Sequence, residues 1–178
     1  MVIFMSHVKD SGYSNRLSNA LARITKVPAL TSGILADAAK VIAREGGKAL
    51  GTHRVGIWRM LNDVESKELV SIVSYDAVSD THTVQEGFPL DDRPQYVRLL
   101  ASERLIVIND ALNTTVLPNL TDTYGPEIRS LLDAPIRVGG RLMGVVCIEQ
   151  DRCAEYPERR EWTVEEQSFA SSLADFVA

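Results

Sequence analysis

Apolar residues recur at helical spacing in three stretches of the chain. The first runs from Ser14 to Lys26, and the second follows Thr31, a suitable N-cap, and ends at Gly51, a suitable C-terminal glycine. The third begins at Thr163, where Glu166 completes a capping box. The apolar stripes consist of Leu17, Leu21 and Ile24, then Ile34, Ala38, Val41 and Ile42, then Phe169, Leu173, Phe176 and Val177. The pattern predicts three amphipathic helices, and the Gly46-Gly47 pair predicts an early end for the second.

Shorter stretches are rich in β-branched and aromatic residues, as strands are. The segments "RVGIWRML" and "ELVSIVSY", separated by the polar "NDVESK", predict an antiparallel pair. Thr83 to Glu86 and the segment "LIVIND" predict two short strands, with a short helix through Tyr96 and Leu100 between them. Asn113 to Arg129 has the composition of a loop, and "GPEIRSLL" at its end has room for a helical turn or two.

A hairpin is predicted in "LLDAPIRVGGRLMGVVCIEQD", which runs from Leu131 to Asp151. Gly139 and Gly140 suit a two-residue turn, which pairs Val138 with Arg141. Regular pairing from this turn places Leu132, Ala134, Ile136, Met143, Val145 and Cys147 on one face and Asp133, Pro135, Arg137, Leu142, Gly144, Val146 and Ile148 on the other. Both faces are largely apolar, so we expect other elements to cover both sides of the sheet.

Two polar residues of the hairpin have different expected roles. On this register Cys147 is a small buried core residue rather than a reactive thiol. Asp133 lies beside Val146 and Ile148, where an unpaired charge costs several kcal/mol, so it must meet a donor, a ligand or water.

Charge and cysteine content narrow the range of possible functions and partners. A net charge of -5 and a pI near 5.2 argue against a nucleic-acid partner. No apolar run approaches the ~20 residues of a membrane span, so we expect no membrane insertion. Cys147 and Cys153 form no zinc set, which suits a cytoplasmic protein. His7, His53 and His82 are scattered and no catalytic motif is present, so we predict no catalytic residue and no metal site.

The order of these elements resembles the GAF domain family of bacterial sensor proteins. The resemblance covers Leu30 to Ala178 and is carried by "RVGIWRML", "SLLDAPIRVGGRLMGVVCIE" and "WTVEEQSFASSLAD". It implies an α+β fold, in which a central antiparallel sheet of five to six strands has helices on both faces. The terminal helices would pack on one face, and a small-molecule pocket would occupy the other. Residues 1–29 would form a separate segment with a signalling and dimerisation helix, and a chain that ends within a helix suggests a fragment of a longer protein.

The family implies a non-catalytic sensory or regulatory module. Such a module binds a small molecule or dimerises, and relays a signal through its terminal helices to an output such as a histidine kinase or a diguanylate cyclase. The apolar stripes of those helices predict a homodimer. The alternative is a thiol-dependent enzyme of the free methionine sulfoxide reductase type, although the cysteine motifs of that branch are missing. The motif of cyclic-nucleotide-binding members and the Cys-His pair of bilin-attaching members are also missing. Haem binding stays an open alternative, and the sequence does not identify the ligand.

The ligand site is expected under the segment from Phe88 to Arg129, which is too long and turn-rich for an idle loop. Its apolar residues need burial, and the terminal helices leave one face of the sheet for them. We predict that Tyr96, Asp110, Tyr124, Ile128 and Asp133 contact a ligand, with Asp133 at the floor of the pocket. The alternative for Asp133 is a structural role, in which it accepts hydrogen bonds from backbone N–H groups of the roof.

Overall fold

An antiparallel sheet lies between two layers of helices and loops. The structure, a computed structural model, describes residues 6–62 and 67–178, so residues 63–66 of the predicted loop lie outside it. The elements are α1 (Ser6–Ile24), α2 (Pro28–Thr31), α3 (Leu35–Leu50), β1 (Arg54–Asn62), β2 (Lys67–Asp76), β3 (Thr81–Thr83), β4 (Phe88–Pro89), α4 (Pro94–Ser102), β5 (Ile106–Ile108), α5 (Leu120–Tyr124), β6 (Ile128–Val138), β7 (Arg141–Asp151) and α6 (Val164–Val177).

The strand order is β3-β2-β1-β7-β6-β5, and β4 pairs with β2. The α+β prediction is therefore confirmed, and the short β3 and β4 bring the count to seven. No helix in the described part of the chain is long and apolar enough to cross a membrane.

Helices α1, α3 and α6 cover one face of the sheet. Leu17 and Ile24 of α1 are buried there, together with Phe169 and Leu173 of α6. The predicted early end of α3 is wrong, because Gly46 lets α6 approach closely: a Cβ on Gly46 would lie 2.6 Å from a methyl group of Leu173. The helix continues to Leu50 and ends at Gly51 in the left-handed conformation, as predicted.

The start of two helices differs from the prediction. The first helix begins at Ser6 rather than Ser14. Thr31 is not the N-cap of α3 but the last residue of α2, where its hydroxyl donates to the carbonyl of Pro28. Ile34 is the N-cap of α3 and supplies no side-chain hydrogen bond. The predicted capping box of α6 is confirmed, since Thr163 and Glu166 bond each other's backbone N–H groups.

A buried arginine joins the helical layer to the sheet. The Nη2 of Arg160 donates to Glu166 of α6 at 2.6 Å and to the carbonyl of Leu50 at 2.7 Å, and its Nη1 donates to Gln150 of β7 at 2.8 Å. The hydroxyl of Tyr13 in α1 donates to the same Glu166 oxygen at 2.6 Å. The guanidinium therefore joins α3, α6 and β7, and Glu166 adds α1; we call this set the arginine hub (Tyr13, Leu50, Gln150, Arg160 and Glu166).

The segment from Phe88 to Arg129 covers the opposite face, as predicted. Its apolar residues form a second core with that face of the sheet. This core includes Leu90, Tyr96, Leu100, Ala111, Leu117, Leu120 and Ile128 from the segment, and Met60, Leu69, Leu131, Val145 and Cys147 from the strands. The helical turn expected in "GPEIRSLL" lies earlier, in α5, and Ile128 already begins β6. The strand expected at Thr83 to Glu86 is β3, which ends at Thr83.

The register of the β6–β7 hairpin corrects the predicted faces. Gly139 and Gly140 adopt φ values of 56° and 80°, and Val138 pairs with Arg141, so the predicted turn is confirmed. Beyond it the pairing shifts, because Ile136 pairs with Gly144 and Met143 is an extra residue. This bulge inverts the faces of β7 from Gly144 onward.

The bulge places alternate residues of β7 on the two faces of the sheet in the opposite way from the prediction. Val146 and Ile148 pack in the helical core with Leu132, Ala134 and Ile136. Val145, Cys147 and Glu149 lie on the opposite face, beside Asp133 and Pro135. Asp133 therefore pairs with Cys147, not with residues of the helical core.

Candidate functional site

A cavity of about 780 Å³ lies between the outer face of the sheet and its covering segment. Its lining combines aromatic and acidic side chains. The aromatic residues are Trp58, Phe88, Tyr96 and Tyr124, and the acidic ones are Glu86, Glu127, Glu149 and Asp151. A cavity of this size has room for a small organic molecule.

The two central strands supply the floor of the cavity. Arg54 of β1 pairs with Glu149 of β7, and Trp58 pairs with Val145. Because side chains alternate along a strand, these residues share the face that carries Cys147. The bulge in β7 is what turns Cys147 and Glu149 toward the cavity rather than toward the helices.

The side chain of Trp58 fills the space above a glycine. Gly56 lies next to Trp58 on the same face, and a Cβ there would lie 2.6 Å from the indole nitrogen. The ring packs over Gly56 and forms part of the cavity wall.

Arg54 is held by two carboxylates at the rim. Its Nε donates to Glu149 at 2.7 Å, and its Nη1 and Nη2 donate to the two oxygens of Asp151 at 2.5 and 2.8 Å. Burial raises the pKa of Glu149, and the Arg54 guanidinium opposes that effect. The arginine is thus occupied within the protein.

Asp133 lies one layer below the cavity wall and is fully buried. Its Oδ2 accepts the hydroxyl hydrogen of Tyr96 at 2.6 Å, and its Oδ1 has no hydrogen-bond partner among the described residues. Burial raises the pKa of Asp133 to about 6. The donor to Asp133 is thus the side-chain hydroxyl of Tyr96, whereas the sequence-based alternative expected backbone N–H groups as donors.

The five predicted ligand residues separate into two groups. Tyr96 and Tyr124 line the cavity, and Asp133 supports Tyr96 from below. Ile128 and Asp110 are not part of the lining. Ile128 is the first residue of β6 and is fully buried in the second core.

Asp110 lies outside the cavity lining and bonds to its own turn. Its carboxylate accepts hydrogen bonds from the backbone of Leu112 and from the backbone and side-chain amides of Asn113. These bonds lower its pKa, with the side chain of Asn113 contributing most. Asp110 therefore stabilises a turn, as aspartate commonly does.

Several lining residues were not predicted. Trp58, Phe88 and Glu149 carry no motif, and Cys147 was assigned to the wrong face. The signal that could have found the β7 residues is Gly144, since a glycine inside a strand often marks a bulge.

The two cysteines differ in environment. Cys147 is buried, with its sulfur 3.9 Å from the hydroxyl of Tyr124 and 3.8 Å from a carboxylate oxygen of Glu149. Burial raises the pKa of Cys147 well above its ordinary value, with nearby carboxylates adding to the effect. Cys153 is partly exposed and contacts the side-chain amide of Gln150.

Known structures share this arrangement of sheet, helices and covering segment. The GAF domain of a phosphoenolpyruvate-protein phosphotransferase from Coxiella burnetii is 18% identical and has a TM-score of 0.67, with 92% of this chain and 91% of that chain covered. A phycocyanobilin-bound GAF domain from a cyanobacterial phytochrome is 21% identical with a TM-score of 0.70, covering 90% and 91%. The photosensory core module of a Stigmatella aurantiaca phytochrome is 15% identical with a TM-score of 0.69, covering 96% of this chain and 36% of that one. The fold is thus that of GAF domains.

The sequence itself matches the same family. The GAF domain model matches residues 35–178, so the chain belongs to the GAF domain family, as the resemblance predicted. No curated protein sequence matches the chain significantly.

Proposed function

We propose that this GAF domain is a non-catalytic sensory module that binds a small molecule in the cavity and relays its presence through α1 and α6. The observation that carries the proposal is the aromatic cavity, with the buried Asp133 carboxyl group under its wall. Cavities of this kind bury most of a ligand and orient it with a few polar groups.

The relay is supported by the two sides of β7. Glu149 faces the cavity, and the next residue, Gln150, accepts a hydrogen bond from Arg160 in the arginine hub. The hub also holds Glu166 of α6 and, through it, Tyr13 of α1. A shift of β7 on ligand binding would reach both helices, and from there an output domain such as a histidine kinase or a diguanylate cyclase.

Homodimerisation through the terminal helices stays a prediction, and the apolar stripes of these helices support it less than expected. Leu17, Ile24, Phe169 and Leu173 are buried within the chain, so they cannot also form an interface. A dimer would have to use the remaining faces of α1 and α6. A cytoplasmic location likewise stays a prediction.

The bilin of the cyanobacterial neighbour is a poor fit to this cavity. A bilin carries two carboxylate side chains, and the lining offers four carboxylates and, among the described residues, a single basic group, Arg54. Arg54 is already paired with Glu149 and Asp151. The buried thiol of Cys147 is also unsuited to chromophore attachment, because attachment requires an accessible thiolate.

A thiol-dependent enzyme is the second candidate, and the environment of Cys147 argues against it. Such chemistry requires a cysteine whose pKa is lowered, whereas burial raises the pKa of Cys147.

A thermal-shift screen of metabolites of all charges tests the proposal. We expect at least one compound to raise the melting temperature of the parent and to lose that effect in Tyr124→Ala. Tyr156→Ala is the control, because Tyr156 is also partly buried but packs on Arg160, away from the cavity. The proposal fails if no compound stabilises the parent, or if the same compounds act on Tyr124→Ala unchanged.

A further inference from the structure

Aromatic rings form much of the wall of the cavity. Phe88 and Tyr96 meet edge to face, with ring centroids 6.5 Å apart, and Trp58 and Tyr124 complete the set. The faces of such rings attract cations, and tryptophan does so most strongly. Phe88 already shows this property, since the guanidinium carbon of Arg93 lies 4.3 Å from its centroid, outside the lining of the cavity.

The charged groups of the lining leave an excess of negative charge. Arg54 is paired with Glu149 and Asp151, and Glu127 is paired with Arg152 at 2.9 Å. Glu86 is a further carboxylate at the rim. An anionic ligand would therefore meet like charges and, among the described residues of the lining, no basic group that is not already paired.

Two carboxyl groups have unused acceptor capacity, one in the lining of the cavity and one buried behind its wall. Glu149 is 7% exposed, and among the described residues the one hydrogen-bond partner of its Oε1 is the thiol of Cys147, at 3.8 Å. Asp133 is fully buried, and its Oδ1 has no hydrogen-bond partner in the described part of the chain. Burial disfavours the ionised form of both groups, and a nearby cation would offset that cost.

We propose that the cavity binds a small organic cation, an ammonium group carried on an apolar or aromatic body. The aromatic walls take the apolar body and face the cation, and the carboxylates of Glu149 and Glu86 supply the opposite charge. A metal ion would not use the rings, because hard metal ions take oxygen ligands. The inference rests on the proposed function and adds the chemical class of the ligand.

Three probes of similar shape and different charge test the class. They are 2-phenylethylamine, 2-phenylethanol and 3-phenylpropionate, and their affinities are measured by calorimetry at neutral pH. We expect the amine to bind about tenfold more tightly than the alcohol, which corresponds to a cation–π and charge contribution of about 1.4 kcal/mol. The propionate should bind most weakly.

Two variants connect the preference to the cavity. Glu86→Lys reverses an exposed charge at the rim, so we expect it to weaken amine binding about fivefold and to strengthen propionate binding. Asp175→Lys is the matched control, because Asp175 is an exposed carboxylate of α6 on the other side of the sheet. Trp58→Leu removes a ring without changing any charge and should reduce the advantage of the amine over the alcohol.

The possible outcomes are distinct. Equal or tighter binding of the alcohol or the propionate overturns the cation proposal, and so does the absence of binding by all three probes. Neither result affects the proposed sensory function if the metabolite screen finds a compound that depends on Tyr124. Unchanged affinities of the amine and the propionate in Glu86→Lys would also overturn the proposal, because the preference would then arise elsewhere.

Discussion

The environment of Asp133 favours its protonated form. Burial raises its pKa from 3.8 to about 6, so the folded protein holds a proton between those values that the unfolded chain releases. The resulting contribution to stability is fully present below about pH 4 and is lost as the pH rises through about 6. Ionised Asp133 therefore destabilises the fold at neutral pH.

Asp133→Asn tests this sign. Asparagine keeps an oxygen for the hydroxyl of Tyr96 and cannot ionise, so the free energy of unfolding of the variant relative to the parent should rise between pH 4 and pH 7. A shift of about two pKa units corresponds to at most ~3 kcal/mol. Urea unfolding at several pH values measures it. Asp110→Asn is the control, because the pKa of Asp110 is lowered from 3.8, so its removal should leave the difference nearly constant from pH 4 to pH 7 and change it in the opposite direction only at lower pH.

Thiol reactivity separates the sensory proposal from the enzymatic one. Cys147 is buried with a raised pKa and Cys153 is partly exposed. We expect an aromatic disulfide reagent to modify one cysteine per native chain rapidly and the second only in denaturant. Cys153→Ser should abolish the rapid phase. Rapid reaction of Cys147 at mildly acidic pH would instead support the thiol-dependent enzyme.

At the scale of elements, the β7 bulge decides which side chains reach the cavity. Gly144 lies directly against β1, and a Cβ there would overlap the carbonyl oxygen of Trp58. This close approach is a tertiary contact between strands that are far apart in the chain, so the pattern of the hairpin alone does not contain it. The turn at Gly139 and Gly140 is local, and for that reason its prediction was correct.

Gly144→Ala should therefore destabilise the domain. Its methyl group meets backbone rather than a flexible side chain, so we expect a loss of about 2 to 4 kcal/mol in unfolding free energy. Gly12→Ala is the control: Gly12 lies in α1 with open space around it, and alanine there should stabilise by about 0.5 to 1 kcal/mol. Chemical denaturation of both variants measures the difference. A neutral Gly144→Ala would show that β1 and β7 do not approach so closely.

The sequence predicts local features better than the site. The capping box of α6 and the glycine cap of α3 follow from a few neighbouring residues, and both are present. The cavity depends on which faces oppose each other, so Tyr96 and Tyr124 were found through the covering segment, whereas Trp58 and Glu149 were missed. Asp110 was placed at the cavity although it lies outside the lining, because a carboxylate that stabilises a turn has the same sequence pattern as one that faces a cavity.

At the scale of the whole molecule, the arginine hub holds the terminal helices to the sheet. Arg160 is 2% exposed and donates to Glu166, Gln150 and the carbonyl of Leu50. Its guanidinium carbon also lies 4.3 Å from the ring centroid of Trp162. Removing one partner of such a buried pair leaves an uncompensated charge, which costs more than the pair itself contributes.

Arg160→Met should cost about 3 to 5 kcal/mol in unfolding free energy, because Glu166 and Gln150 lose their buried donor. Tyr13→Phe removes one hydrogen bond from Glu166, which keeps Arg160 and the backbone of Thr163, so it should cost about 1 kcal/mol. If Tyr13, Arg160 and Glu166 act as one unit, the effects of Arg160→Met and Tyr13→Phe will not add in the double variant. Denaturant unfolding of the four proteins of this cycle measures the coupling. Strictly additive effects would mean that α1 and α6 are attached independently, and the proposed relay from β7 would then need a separate path to α1.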